Sequence, residues 1–255
     1  MKRPLILVTN DDGIYGPGLK PLVSELKKIG KVIVVVPDKE RSGTSHSITL
    51  HKPLRVYRTR ANVYAANGTP ADCARFGVLS LAKGKIDLLV SGINTGPNLG
   101  QDVIYSGTVA GAREGAMLRI PSFAISISEW GERNFIKAAR VARIIAKNMI
   151  RSGIDGRAYL NVNVPPKIKG YRITSVGQRI YDEDIECRTD PRGLNYYWLA
   201  GKFISGVEEP GTDIWAIKKS FVSITPLELN PTAHDLFGVL EKWMEPLQKV
   251  KNSGK

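Results

Sequence analysis

Four short, almost wholly apolar runs govern the first half of the chain: LILV at 5–8, VIVVV at 32–36, IDLLV at 86–90 and FAISI at 123–127. Each has strand length and is rich in Val, Ile or Leu with little polar alternation, the pattern of strands buried on both faces of a parallel sheet. Parallel neighbours need a crossover between them, and helix signals fall where the crossovers are needed. After the first run, Pro17 sits like a first-turn proline; Leu19, Leu22, Val23, Leu26 and Ile29 share one face, and Gly30 closes the helix. In GTPADCARFGVLSLAKG, Thr69 reads as an N-cap, Pro70 as the first helical residue and Gly84 as the stop. Phe135, Ala138, Ala142, Ile145 and Met149 form another stripe, closed by Gly153. Strand and helix thus alternate over about the first 150 residues, which predicts an α/β fold: a doubly wound, mostly parallel sheet with helices on both faces.

Beyond Gly156 the pattern shifts. AYLNVNVPP reads as one more strand stopped by two prolines, while YRITSVGQRIYD, NYYWLAGKFISG and WAIKKSFVSITPL read as hairpin or arm material with few helix signals. A last helix is expected from near Asn230 and Pro231, with Leu236, Val239, Leu240 and Trp243 on its apolar face. The chain therefore divides into a core at 1–165 and a β-rich extension with a C-terminal helix at 166–255. Tyr196, Tyr197, Trp198, Trp215 and Phe221 gather in the extension, as either a subunit interface or additional core requires.

Length and composition narrow the setting. The 255 residues, 42% hydrophobic, supply a core without staples. Cys73 and Cys187 are far apart and in no C-x-x-C pattern, which suggests neither a disulfide scaffold nor a thiolate zinc site and fits a reducing, cytoplasmic location. The basic start MKRPLILVTNDDG has too short an apolar stretch for a signal peptide, and no later run approaches the ~20 apolar residues of a membrane span. A formal charge of +13 favours anionic partners, but the basic residues are scattered, so a solvated surface explains them better than a dedicated nucleic-acid face.

In an open parallel sheet, loops after different strands converge at the carboxyl edge. The first run ends in Asn10, Asp11, Asp12 and Gly13; the second delivers Arg41, Ser42 and Gly43; DLLVSGINTGPNLG delivers Asn94 and Asn98. Just downstream, Ser106, Gly107 and Thr108 stand at the start of a helix of small residues. Adjacent acids repel unless something neutralises them. Carboxylates, a hydroxyl and amide carbonyls, gathered without histidine or cysteine, select a hard dication such as magnesium or manganese. Two carboxylates balance one dication, and such a site accepts a phosphate dianion while the helix start offers it N–H donors. Taken singly, each loop has a structural reading: Asn-Asp-Asp-Gly is good turn chemistry, the glycines permit tight turns, and Ser106 is a helix cap. Of His46, His51 and His234, only His46 lies close enough to Ser42 and Gly43 to be kept in view.

Several templates are absent. The chain has no G-x-x-x-x-G-K-[ST], no G-x-G-x-x-G after the first strand and no G-x-S-x-G elbow. The acids are contiguous where aspartyl-nucleophile phosphatases carry Asp-x-Asp, which favours water as the nucleophile.

TNDDGIYGPG, VVVPDKERSGTSHSITL, GTPADC, LVSGINTGPNLGQDVIYSGTVAGAREG, LNVNVP and VSITPL together make the chain resemble the SurE (survival protein E) family of metal-dependent nucleotidases, over nearly its whole length. The resemblance implies a Rossmann-like three-layer α/β/α fold. It implies a single divalent ion, magnesium or manganese, on Asp11, Asp12, Ser42 and Asn94, with Asp11 and Asp12 catalytic, and phosphate contacts at Gly43, Asn98, Ser106, Gly107 and Thr108. The implied reaction is hydrolysis of nucleoside 5′-monophosphates, often of 3′ esters and in some members of short polyphosphate, by a metal-activated water. It further implies a homodimer or homotetramer exchanging a β-hairpin and C-terminal helix; the short apolar runs and scattered charge read above lead us to expect no membrane and no specific nucleic-acid partner. Two alternatives stay open at this stage: a nucleotide sensor that binds without hydrolysis, and a nucleic-acid binder drawn by the positive charge.

Overall fold

The computed structural model describes residues 3–83, 85–153, 156–182, 185–198 and 203–252. In chain order the first part runs β1 (Leu5–Thr9), α1 (Leu19–Leu26), β2 (Lys31–Pro37), β3 (Val56–Arg60), β4 (Val63–Ala66), α2 (Pro70–Phe76), β5 (Leu88–Thr95), α3 (Gly107–Met117), β6 (Ser122–Ile127), α4 (Glu132–Ser152) and β7 (Ala158–Val164). The second part adds β8 (Gly170–Ile173), β9 (Arg179–Tyr181), β10 (Glu186–Thr189), β11 (Asn195–Trp198), β12 (Phe203–Gly206), α5 (Asp213–Lys218), β13 (Phe221–Glu228) and α6 (Phe237–Asn252).

Nine of these strands form one sheet in the order β3-β4-β2-β1-β5-β6-β7-β13-β8. From β4 to β7 every neighbouring pair is parallel, with β13 antiparallel to β7 and β3 antiparallel to β4. The apolar runs are continuous because both faces are covered. Ile6 and Val8 of β1 face a core with Leu22, Leu26, Phe123 and Phe135, whereas Leu7 between them packs with Val35, Cys73, Val78 and Leu89. Helices α1 and α4 cover the first face, α2 and α3 the second. The three-layer α/β arrangement expected from the alternation is therefore present.

From β1 the chain winds one way to β2 and β4, then returns to the other side of β1 for β5, β6 and β7. That reversal makes the gap between β1 and β5 the switch point, where loops part and leave a crevice.

Local signals act as read in several places. Thr69 caps α2 through a reciprocal capping box with Asp72, and Gly153 ends α4 in the left-handed region. The stop expected at Gly84 lies outside the described residues; α2 itself continues only as a π-turn over Gly77–Leu81.

Four readings need correction. Helix α1 follows its N-cap Gly18 and ends at Leu26, so Pro17 precedes it rather than sitting in its first turn, and Ile29 and Gly30 lie beyond its end. Strands β3 and β4 were not anticipated, because VYRTR is an exposed edge strand whose charges break the apolar pattern. WAIKKSFVSITPL is not uniformly strand: its first residues form α5, whose N-cap Thr212 accepts from the Trp215 amide, and only Phe221–Glu228 is strand. The last helix starts at Phe237, since Asn230 accepts from both the amide and the hydroxyl of Thr232 in a turn that holds the backbone out of helix.

The β-rich stretch divides in two. Strands β8 and β13 extend the main sheet, whereas β10 pairs with β11, and β12 with β9, as separate two-stranded ribbons. None of the described helices is long and apolar enough to cross a membrane.

Candidate active site

The loops after β1 and β2 are fastened together by the Arg41 amide donating to the Asp11 carbonyl at 2.7 Å. The start of α3 is pressed against the same point. A Cβ on Gly107 would stand 2.9 Å from the Asp11 Cβ, so only glycine lets the helix approach this closely. The Thr108 hydroxyl donates to Asp11, and the Thr95 hydroxyl at the end of β5 donates to Asp12 at 3.2 Å. Four chain segments thus meet at the switch point.

They enclose a cleft of about 540 Å3 lined by Asp11, Ser42, Gly43, Asn94, Asn98 and Ser106, together with Thr95, Asp102, Tyr105, Tyr181 and Asp182. Asp12, Gly107 and Thr108 are not on its wall; Asp12 is bonded to the wall residue Thr95, and the two helix residues contact the wall residue Asp11. A larger groove of about 900 Å3 runs between α1 and the β3–β4 edge, but its lining holds no acid, histidine or cysteine. Volume alone does not locate the chemistry.

The four oxygen donors share one arrangement. Asp11 is held by Thr108, Asp12 by Thr95, Ser42 by donating to Glu40 at 2.7 Å, and Asn94 by its Nδ2 donating to the Gly96 carbonyl at 2.9 Å. Each hydrogen bond fixes a side chain and leaves it an oxygen lone pair: a second carboxylate oxygen, a hydroxyl lone pair, or the amide oxygen. Among the described residues no group of three or more His, Cys, Asp or Glu that could hold a metal forms, and the cleft lining carries neither histidine nor cysteine. The set is one of oxygens, suited to a hard dication.

Electrostatics point the same way. Burial pushes the Asp11 carboxyl up to about 6, with the Asp12 charge adding to the rise and Thr108 opposing it. Burial also raises Asp12, against the Thr95 hydrogen bond and with help from Glu40. Two carboxylates are held where their charge is costly, and a bound cation removes that cost.

Ser106 caps α3, its hydroxyl oxygen accepting from the Val109 amide at 3.1 Å while its O–H stays available to donate. The structural reading and the anion-binding reading of Ser106 are therefore compatible. Helix α3 begins at the cleft, so the positive end of its peptide dipoles faces the wall. Asn98 is buried and braced: its amide donates to Ser126 at 2.8 Å, its backbone amide to Asn163 at 2.9 Å, and its carbonyl accepts from Asn161 and Asn163. One amide hydrogen of Asn98 is left over, as a phosphate contact requires.

His46 is not on the cleft wall. It bonds the buried Glu114 at 2.9 Å, which also takes Arg75 at 2.9 Å, and so ties the stretch after Gly43 to α3.

Sequence reasoning missed Thr95, the braces Asn161 and Asn163, and the wall of Asp102, Tyr105, Tyr181 and Asp182. The two asparagines had a signal: LNVNV sets amides two apart in a strand buried on both faces, where a polar side chain needs a partner. Tyr181 and Asp182 come from the arm, and nothing local in the sequence shows that it folds back here.

The protein-family model described as "Survival protein SurE" matches residues 6–183 of the chain. A Geobacter sulfurreducens protein named "5'-nucleotidase SurE" is 42% identical over 243 residues, 93% of each chain. The Pelobacter propionicus protein of the same name is 43% identical over 244 residues, 94% of this chain and 99% of that protein. Among solved structures, "Crystal Structure of Sure Protein from Aquifex aeolicus" superposes with a TM-score of 0.83 at 40% identity, covering 95% of this chain and all of that one.

Proposed function

The chain belongs to the SurE family, and from that membership we propose its function: it is a 5′-nucleotidase, hydrolysing nucleoside 5′-monophosphates to nucleoside and phosphate. The observation that carries this reading to particular residues is the meeting of Asp11, Ser42, Asn94 and the α3 start on one cleft, at the sheet's switch point.

The donor set fits one magnesium or manganese ion, and Asp11, Asp12, Ser42 and Asn94 would hold it. Such an ion, when bound, polarises phosphoryl oxygens and makes water more acidic. The chain's own residues supply the rest. Asp11 and Asp12 furnish the balancing negative charge, kept in place by Thr108 and Thr95. Gly43, Asn98 and Ser106, which line the cleft, hold the phosphate oxygens, while Gly107 and Thr108 set the α3 start against Asp11. There the α3 start opposes the charge that grows on the phosphoryl group during displacement by water. Thr108 works through Asp11, and Asn98 is aimed by Ser126 and Asn163.

The exposed aromatic and apolar residues of the arm and α6 support a homodimer or homotetramer, each subunit covering its neighbour's faces, and the free cysteines Cys73 and Cys187 fit a reducing, cytoplasmic setting.

The test is phosphate release from AMP with manganese present. Release that EDTA abolishes and added manganese restores is expected. Binding of AMP without release overturns the reading in favour of a nucleotide sensor.

A further inference from the structure

Part of the cleft lining is not used by the metal and phosphate chemistry: Asp102, Tyr105, Tyr181 and Asp182. Asp102 accepts from the Tyr181 hydroxyl at 2.5 Å and pairs with the Arg179 guanidinium. Gln101 and Arg179 exchange two hydrogen bonds, the Gln101 amide donating to the Arg179 carbonyl at 2.5 Å and the Arg179 backbone amide donating back at 2.9 Å. Buried Asp213 accepts from the amides of Gly100 and Gly177, each at 2.9 Å. Strand β9 is thereby clamped to the 3-10 turn Gly100–Ile104, and this wall stands fixed before any ligand arrives.

Its charge gives a bound ester a direction. The carboxylates of Asp102 and Asp182 repel a phosphate dianion, Asp102 less so because Arg179 neutralises it, while the α3 start attracts one. The phosphate settles at the helix, and the organic group of the ester is left to this wall.

Tyr105 is the ring placed to receive it. It lines the cleft yet is 65% exposed. Its backbone is pinned on both sides, the amide donating to the Asp102 carbonyl at 3.0 Å and the carbonyl accepting from the Ser45 amide at 2.9 Å. It immediately precedes Ser106, the α3 cap, so the ring is rooted one residue from the phosphate end. An uncovered ring carried on a pinned backbone beside a phosphate site presents a flat apolar face with few torsions to freeze, which suits stacking by a heteroaromatic base.

Resting on the nucleotidase reading above, we propose that Tyr105 is the base platform of the cleft, and that it makes the enzyme prefer nucleotides over phosphate esters that carry no base.

The experiment compares phosphate release from AMP and from ribose 5-phosphate, with manganese, by the full chain as wild type, Y105A, Y105L and Y105F. In Y105A and Y105L the ratio of kcat/KM for AMP to that for ribose 5-phosphate falls roughly tenfold, through KM for AMP, which is the order one base stacked on a ring contributes. Y105F keeps the ring and stays near the wild-type ratio. Y105L keeps apolar bulk without a ring, so its fall separates stacking from simple burial. A ratio in Y105A and Y105L within about twofold of wild type, less than one stack supplies, overturns the platform and leaves the nucleotidase reading standing. Wild-type protein that releases phosphate from neither ester overturns that reading and the platform with it.

Discussion

The carboxyl edge between β1 and β5 and the far surface of the arm and α6 are built on opposite terms. At the edge the polar side chains proposed to hold metal and phosphate have partners within the chain: Asp11 with Thr108, Asp12 with Thr95, Asn98 with Ser126 and Asn163. On α6 and the turn before it, Leu236, Phe237, Val239, Leu240 and Trp243 are all exposed, Trp243 at 66%, and Trp198 of β11 is 54% exposed. Buried polar groups must be satisfied locally or the fold pays heavily, whereas an exposed apolar face can wait for a second molecule. The difference teaches that one chain suffices to assemble the cleft but not to cover its own surface.

The largest expected effect lies at the edge. D11N and D12N each remove a carboxylate charge while keeping the side chain's shape. Phosphate release from AMP should fall by at least about a thousandfold, in line with several kcal/mol of lost charge stabilisation. Circular dichroism and oligomeric mass should be unchanged. Turnover retained in either variant breaks the assignment of the carboxylates, and a change in mass breaks the separation between edge and arm.

The next effect lies on the other side of the comparison. The double variant L240E/W243E puts charge on the apolar face of α6. Light scattering should show the proposed homo-oligomer weakened by about two orders of magnitude in Kd, as the loss of central apolar and aromatic anchors produces. Phosphate release per chain should persist. Loss of activity together with the oligomer would mean that the cleft depends on the partner, which would refute its self-sufficiency.

How much of each region could be read from the sequence follows from the same division. The central strands were legible because burial on both faces makes them short and uniformly apolar, and the α2 and α3 starts because caps are local chemistry written in adjacent residues. The loop residues of the cleft were legible because strand order sends their loops to one edge. Thr95 was not, since a threonine at a strand end has no pattern until Asp12 is seen beside it. Tyr181 and Asp182 were not, because their place depends on a clamp between residues 78 apart, Gln101 and Arg179. Helix α5 was overlooked because its six residues are too few to show a period, and the Thr212 cap was its sole local mark.

A third effect, read as a shift of a few degrees in melting temperature, sharpens the comparison through pH. Burial raises Asp11 from an ordinary 3.8 to about 6. Between those values the folded chain holds a proton that the unfolded chain has released. Folding therefore gains from this group when the pH is low, and the gain is lost as pH rises through 6. Integrated over the window, the loss is on the order of 3 kcal/mol. Asp12 and Asp213 are raised in the same direction by burial, so the wild-type curve alone does not isolate Asp11. The variant does: in metal-free protein at pH 7.5, D11N should melt roughly 5 °C above wild type, and near pH 4 the gap should close. Manganese at pH 7.5 should stabilise wild type but not D11N, since the ion offsets in one the charge that the other lacks. L240E/W243E should leave the D11N difference untouched, because the cleft lining includes no residue of α6. A gap that persists unchanged at pH 4, or one that appears only in the oligomer, would show that the cost at Asp11 is not the burial of its charge within a single chain.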